Sequence, residues 1–210
     1  MNNFLGLINV EAGLEVLRND QKMRVLIQKY DKPSFNLGHD YFQSLLKSII
    51  YQQLSGNAAK SIYERFVTLI PKKCNLSPRE VLKLDKSKMR ESGLSFNKID
   101  YIINLADYFL ENNFQDKSVS IMTENQIVRE LTQIKGIGQW TVDMFLIFTL
   151  NRADILPYTD LGIKKGFKKI LSKKDLPSKK EMEICSKKWR PHRTIACWYL
   201  WKVADDKYVY

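Results

Sequence analysis

The sequence predicts an all-α protein. Apolar residues recur at spacings of three and four along nearly the whole chain, and no stretch sustains the two-residue alternation of a half-buried strand. Capping and breaking residues agree, because Ser, Thr, Asp, Gly and Pro stand where these periodic runs begin and end.

Residues 11–30 read as a first helix, closed by Asp31-Lys32-Pro33. From Tyr41 to Ile50, the residues Phe42, Leu45, Leu46, Ile49 and Ile50 form one apolar stripe, so this helix is buried. Gln52, Gln53 and Gly56 interrupt it. Asn57 to Leu69 resumes as a helix with Ala58, Ala59, Ile62, Phe66 and Leu69 inward, until Pro71 stops it. Ser77-Pro78-Arg79-Glu80 joins a capping serine, a proline at the first helical position and a glutamate three residues after the serine, and starts a short helix. Phe96 to Leu110 follows, with Ile99, Ile102, Ile103 and Ala106 inward. Thr123 to Leu131 and Trp140 to Leu150 flank a tight glycine loop, a hairpin over about residues 124–150. Asp160 to Ile170 and Glu181 to Lys202 bring the total to about nine or ten helices.

The 210 residues, 44% of them hydrophobic, suffice for one globular unit or two small helical lobes. Lys and Arg number 34 against 23 Asp and Glu, a net +11, which favours a polyanionic partner through phosphate neutralisation. Cys74, Cys185 and Cys197 are odd in number and widely spaced, which fits neither a disulfide framework nor a zinc or iron–sulfur site and suits a reducing compartment. The first residues lack a basic segment followed by a long apolar run, and no stretch reaches the roughly 20 apolar residues of a membrane span. The expectation is a soluble monomer, cytoplasmic in a prokaryote or nuclear in a eukaryote. His39 and His192 stand alone and receive no role.

The most informative stretch is Leu131-Thr-Gln-Ile-Lys-Gly-Ile-Gly-Gln-Trp-Thr-Val-Asp143. Gly136 and Gly138 allow a sharp turn and close approach. The helix that follows offers free N–H groups and a positive dipole end, where a phosphate can sit without base contacts. That contact positions a protein on nucleic acid rather than reading its sequence.

This segment resembles the helix-hairpin-helix element of DNA glycosylases. The likeness continues through Trp140 and Thr141 to Leu156-Pro-Tyr-Thr-Asp160-Leu-Gly-Ile-Lys-Lys165, where that superfamily carries its catalytic aspartate. Phe42 to Lys60, Glu91-Ser-Gly-Leu-Ser-Phe-Asn-Lys-Ile99 and Trp189-Arg-Pro-His-Arg-Thr-Ile-Ala-Cys-Trp-Tyr-Leu-Trp201 resemble the DNA-3-methyladenine glycosylase II branch in particular. The resemblance covers residues 42–201 in order. It implies two helical lobes, about 1–35 plus 155–210 and 36–154, in a single glycosylase unit with the active-site cleft between them. The residues before Pro33 lead us to expect the compact form, without the N-terminal β-containing domain of the long bacterial enzyme.

The implied activity is hydrolysis of the N-glycosidic bond of alkylated purines, 3-methyladenine or 7-methylguanine, in double-stranded DNA during base excision repair. By resemblance Asp160 is the catalytic carboxylate. Its other reading is a helix N-cap, and the two are compatible. Asp143 and Asp154 do not match the motif position. Trp140, Trp201 and Met144 correspond to base-pocket positions. Two other pocket positions of the long bacterial form are not aromatic here, being Met144 and Lys202, which puts substrate breadth in question. Gly136, Gly138, Lys135, Thr141, Lys164 and Lys165 correspond to the DNA face, with Lys168 and Lys169 nearby. Leu54 corresponds to the apolar wedge, and Gln52 and Gln53 either prop its loop or touch the opposite strand. No cofactor is expected beyond a structural Na+ or K+ on the carbonyls of Thr132, Ile134 and Ile137.

The bifunctional glycosylase–lyases carry a lysine where this chain has Trp140, and without that amine no Schiff base forms there. The alternatives are a glycosylase for oxidised guanine on the same fold and a noncatalytic DNA-structure-binding protein.

Overall fold

The computed structural model describes residues 6–35, 40–54, 56–114 and 119–205. His39 lies outside them. The described residues form twelve α-helices and no strand; the one isolated bridge pairs Leu7 with Arg152. The all-α expectation is met.

The helices are α1 (Val10–Leu17), α2 (Gln21–Lys29), α3 (Tyr41–Tyr51), α4 (Gly56–Val67), α5 (Pro78–Leu82), α6 (Lys86–Glu91), α7 (Phe96–Asn112), α8 (Glu124–Leu131), α9 (Gln139–Phe148), α10 (Leu161–Ile170), α11 (Lys179–Ser186) and α12 (Arg193–Asp205). Two long helices expected from the sequence are each broken in two. Residues 11–30 divide because Asp20 caps a new helix, its carboxylate accepting from the N–H groups of Lys22 and Met23. Residues 181–202 divide at Pro191, which lacks an N–H and forces Arg190 into extended backbone at ψ 142. Helix α6 was not expected from its weak apolar pattern, and it exists because Asp85 caps it through Ser87 and Lys88. The capping box foreseen at Ser77 is half realised: Ser77 Oγ accepts from the Glu80 N–H, while the Glu80 carboxylate turns to Lys83 at 2.6 Å.

The chain divides into two compact units, one of Met1–Leu37 with Leu146–Tyr210 and the other of Gly38–Phe145. The boundary falls at Leu146, nine residues before that drawn from the sequence. The cause is local pairing: Ile8 N–H donates to Asn151 O at 2.8 Å and Ala153 N–H to Gly6 O at 2.9 Å, tying the segment after α9 to the N-terminal residues.

In the first unit α12 is the central helix. Ile195, Ala196, Cys197, Tyr199, Leu200 and Val203 are buried around its circumference against residues of α1, α2 and α10, including Leu17, Met23 and Phe167. Glycines make the close crossings. A Cβ on Gly13 would lie 2.1 Å from Ile195 Cδ1, and one on Gly166 would lie 2.4 Å from the Leu200 carbonyl oxygen. Trp189 stacks on Phe167 with ring centres 5.5 Å apart and donates its indole N–H to Asp20 at 2.7 Å. In the second unit α3 and α7 bury Phe42 against Phe109, with Phe114 completing the cluster.

Candidate active site

Asp160 is the N-cap of α10, in extended backbone. Its Oδ1 accepts the Ile163 N–H at 2.7 Å, as a capping aspartate does, and also the Trp201 indole N–H at 2.9 Å. Two donors on one oxygen fix the carboxyl plane. The residue is 9% exposed. Trp201 arrives on α12, and its approach depends on Gly162, where a Cβ would meet Trp201 Cδ1 at 2.8 Å and Asp160 Oδ1 at 3.0 Å. Gly162 and Gly166, one turn apart on α10, are thus the surface on which α12 lies, and that crossing delivers the indole to the carboxylate.

Phe148, at the end of α9, stands 5.7 Å from Trp201 between ring centres and is 48% exposed. Sequence reasoning passed over it. Nothing in the sequence marks it, because Phe148 continues the apolar run of α9 and its exposure is seen only in the structure.

The competing aspartates are engaged elsewhere. Asp154 binds Arg190 at 2.8 Å and Arg193 at 2.6 Å, and Asp143 is buried in α9, accepting from Gln139 at 2.8 Å. His192 is half-buried beside α1.

In the second unit the hairpin runs from α8 to α9. Thr123 and Gln126 form a complete capping box that sets the start of α8. Gly136 has φ +100, and a Cβ there would fall 2.1 Å from Tyr101 Cγ, so glycine is required for conformation and for space. Gly138 differs: its φ is not positive, and a Cβ would meet nothing within 4 Å. The space over Gly138, at the N-terminus of α9, opens outward. Lys135 is exposed at the turn.

Thr141, expected on the DNA face, is only 1% exposed, and its hydroxyl accepts from Gln52 Nε2 at 2.9 Å. The same amide donates to Gly136 O at 2.9 Å, so the Gln52 side chain ties the loop after α3 to the hairpin. Gln53 follows in left-handed backbone at φ 57, and Leu54 is 40% exposed at the tip of that loop. Trp140 is half-buried and Met144 buried on α9. A groove of about 480 Å³ lies between this loop, the start of α7 and the hairpin, lined by Gln53, Ser95, Lys98, Tyr101 and Gly138 among others.

Lys98 was missed. Its ammonium donates to Ile50 O at 2.6 Å and Gln52 O at 2.8 Å, and burial pulls its pKa below the usual lysine value. The signal was present in Ser95-Phe-Asn-Lys98, a serine cap that fixes the lysine in the first turn of α7. Of the lysines on α10, Lys165 is exposed and Lys164 half-buried. Lys169 instead donates to Val203 O and Ala204 O, closing the end of α12. Among the described residues no cluster of three His, Cys, Asp or Glu could hold a metal ion, and Cys74, Cys185 and Cys197 are not joined to one another in disulfides.

An all-helical chain whose glycine hairpin opens a helix toward solvent is a helix-hairpin-helix protein of the DNA-binding class. The chain belongs to the family described as HhH-GPD superfamily base excision DNA repair protein, which it matches over residues 46–191. It is 36% identical over 168 residues to DNA-3-methyladenine glycosylase 1 of Schizosaccharomyces pombe, covering 78% of this chain and 72% of that protein. It is 32% identical to the alkylbase DNA glycosidase-like protein mag2 of the same organism, over 79% of this chain and 78% of that one. Among solved structures it is similar to the Schizosaccharomyces pombe 3-methyladenine DNA glycosylase Mag1 in complex with abasic DNA, with TM-score 0.87 and 30% identity, over 95% of this chain and all of that one.

Proposed function

We propose that this protein is a monofunctional DNA glycosylase that hydrolyses the N-glycosidic bond of alkylated purines, with Asp160 as its catalytic residue. The observation that carries the reading is the Asp160 carboxyl, held by the Ile163 N–H and the Trp201 indole in the motif position of the family's aspartate. The names of the relatives support the substrate class.

Asp160 acts as follows. The C1′–N bond breaks with its electron pair leaving on the base, and the deoxyribose becomes positively charged. A carboxylate fixed beside that sugar stabilises the charge and needs no rearrangement at the moment of bond cleavage. Water then adds to C1′ and loses its proton, giving an abasic site. N3- and N7-alkylated purines carry a positive ring that leaves as a neutral base, so a protonating acid is dispensable. Trp201 and Trp140 offer indole faces to a cationic base, an attraction of roughly 0.5–2 kcal/mol that normal bases lack. With Trp140 at the lyase lysine position, the product is an intact abasic site.

The DNA partner is held by the amides at the start of α9, by Lys135 on the hairpin and by Lys164 and Lys165 on α10. Leu54 fills the stack vacated by the flipped base, with Gln53 beside it. The carbonyls of Thr132 and Ile137 accept no hydrogen bond among the described residues, and that of Ile134 accepts one, from the Ile137 N–H at 3.0 Å. Hard oxygen donors on one turn suit Na+ or K+, which would add positive charge on the phosphate side of the hairpin. The protein acts as a monomer on damaged duplex.

The test is to incubate the protein with methylated duplex and analyse released bases. Release of 3-methyladenine and 7-methylguanine is expected, with no adduct trapped by borohydride. Asp160→Asn should slow release by about 100- to 1000-fold while duplex binding persists. Absence of released base, or an Asp160→Asn protein as fast as wild type, refutes the proposal.

A further inference from the structure

We propose that Lys98 is a positioning residue that sets the Gln53-Leu54 loop against the hairpin, so that both engage DNA in a fixed relation. This rests on the glycosylase reading above for its consequence, though not for its geometry.

Helix α3 ends at Tyr51, and its last carbonyls have no intrahelical N–H partner. Gln52 leaves the helix at ψ 129 and Gln53 turns left-handed, so the main chain of the loop is tied back to α3 by one long turn bond, from the Leu54 N–H to Tyr51 O at 3.3 Å. One of those carbonyls, Ile50 O, and that of Gln52 just beyond the helix are gathered by one ammonium, Lys98 Nζ. A cation there also meets the negative end of the α3 dipole. Lys98 is itself fixed, since Ser95 caps α7 through the Lys98 N–H and the helix runs on to Asn112.

From Gln52 the connection continues through its side chain. The amide reaches Gly136 O in the hairpin turn and Thr141 Oγ1 in the first turn of α9. Lys98 therefore holds the main chain of Gln52 while Gln52 holds the hairpin, and Leu54 lies two residues beyond. Removing the ammonium deprives both carbonyls of their side-chain donor and loosens the tie between the loop and α7. Arginine keeps both charge and donors. The depressed pKa of Lys98 agrees with an ammonium partly withdrawn from water.

Misplacing a group by about 1 Å costs rate on the order of 100-fold, whereas phosphate binding by the hairpin tolerates such a shift. Loss of Lys98 should thus separate flipping from binding. The experiment compares wild type, Lys98→Met, Lys98→Arg and Gln52→Leu by three measurements. These are affinity for undamaged duplex, single-turnover excision of 7-methylguanine, and fluorescence of 2-aminopurine opposite a tetrahydrofuran abasic-site analogue, which rises when the stack is invaded.

Lys98→Met should bind undamaged duplex within about 3-fold of wild type, lose 2-aminopurine enhancement and excise about 10- to 100-fold more slowly. Lys98→Arg should recover both signals. If Lys98→Met lowers only thermal stability and leaves fluorescence and excision at wild-type values, the proposal is overturned. It is equally overturned if binding and excision fall by the same factor. Should Lys98→Met not fold, Gln52→Leu decides by the same outcomes, because it cuts the side-chain link and leaves the lysine bonded to the main chain. Wild type that releases no base would sink the glycosylase reading alone, since the abasic-site fluorescence needs no catalysis.

Discussion

The two hairpin glycines should fail in opposite ways when each is replaced by alanine. At Gly136 a new methyl meets the Tyr101 ring at 2.1 Å and the backbone is held at φ +100. The left-handed conformation costs about 1–2 kcal/mol for a residue with a Cβ, and overpacking typically adds about 1–3 kcal/mol. Gly136→Ala should therefore lose about 2–5 kcal/mol of stability. At Gly138 the methyl meets no protein atom within 4 Å, and the backbone suffers no strain. A less favourable helix start and a less flexible unfolded chain nearly offset each other, leaving stability within about 0.5 kcal/mol of wild type. The methyl does, however, occupy the space above the α9 amides. Losing one phosphate contact of charge-assisted strength costs about 1.5–3 kcal/mol, or roughly 10- to 100-fold in affinity. Urea unfolding and fluorescence anisotropy with an undamaged duplex, at one fixed salt concentration, measure both quantities. A Gly136→Ala protein with a wild-type unfolding midpoint, or a Gly138→Ala protein with wild-type affinity, would show that this account of the hairpin is mistaken.

Three further outcomes are expected. Trp201→Phe keeps the ring but removes the indole donor to Asp160 Oδ1, and single-turnover excision should fall about 10-fold for a lost bond of about 1–1.5 kcal/mol. Gly166→Ala drives a methyl to 2.4 Å from the Leu200 carbonyl oxygen; thermal denaturation should show a loss of about 1–3 kcal/mol, with excision falling as α12 shifts. Asp20 supplies a pH dependence. Burial alone would raise its pKa, but the bonds from Lys188, Trp189 and the Lys22 N–H outweigh it, so the folded pKa lies below the unfolded value near 3.8. A depressed carboxyl stabilises the fold above its unfolded pKa and loses that contribution as pH falls through the folded one. Asp20→Asn should accordingly flatten the stability-versus-pH curve below about pH 4 in acid titrations followed by circular dichroism.

Much of this was legible in the sequence because it rests on local rules. The stripe of α3, the cap at Ser77 and the glycine hairpin each depend on residues within one or two turns of one another. Asp160 was read both as a cap and as a catalytic candidate, and the cap is what the geometry displays. What escaped the sequence depends on partners far along the chain. Lys98 finds its acceptors at Ile50 and Gln52, Thr141 is claimed by Gln52, and Lys169 is drawn to the end of α12, although its spacing alone suggested a solvent-facing cation. The division of residues 11–30 was readable in principle from Asp20, whose cap outweighed the apolar period running across it. The unit boundary near Leu146 was not, because it is made by main-chain pairing between Gly6 and Ala153 that leaves no side-chain pattern.

That Asp160 begins a helix bears on how such a protein can change over generations. Asparagine caps a helix about as well as aspartate and can accept the same two hydrogen bonds, so the change leaves the architecture intact. A single base substitution in the codon is enough to make it. On the role proposed for Asp160, a lineage would in this way shed its chemistry in one step while keeping the fold, and that descendant would compete with active copies for the same lesions.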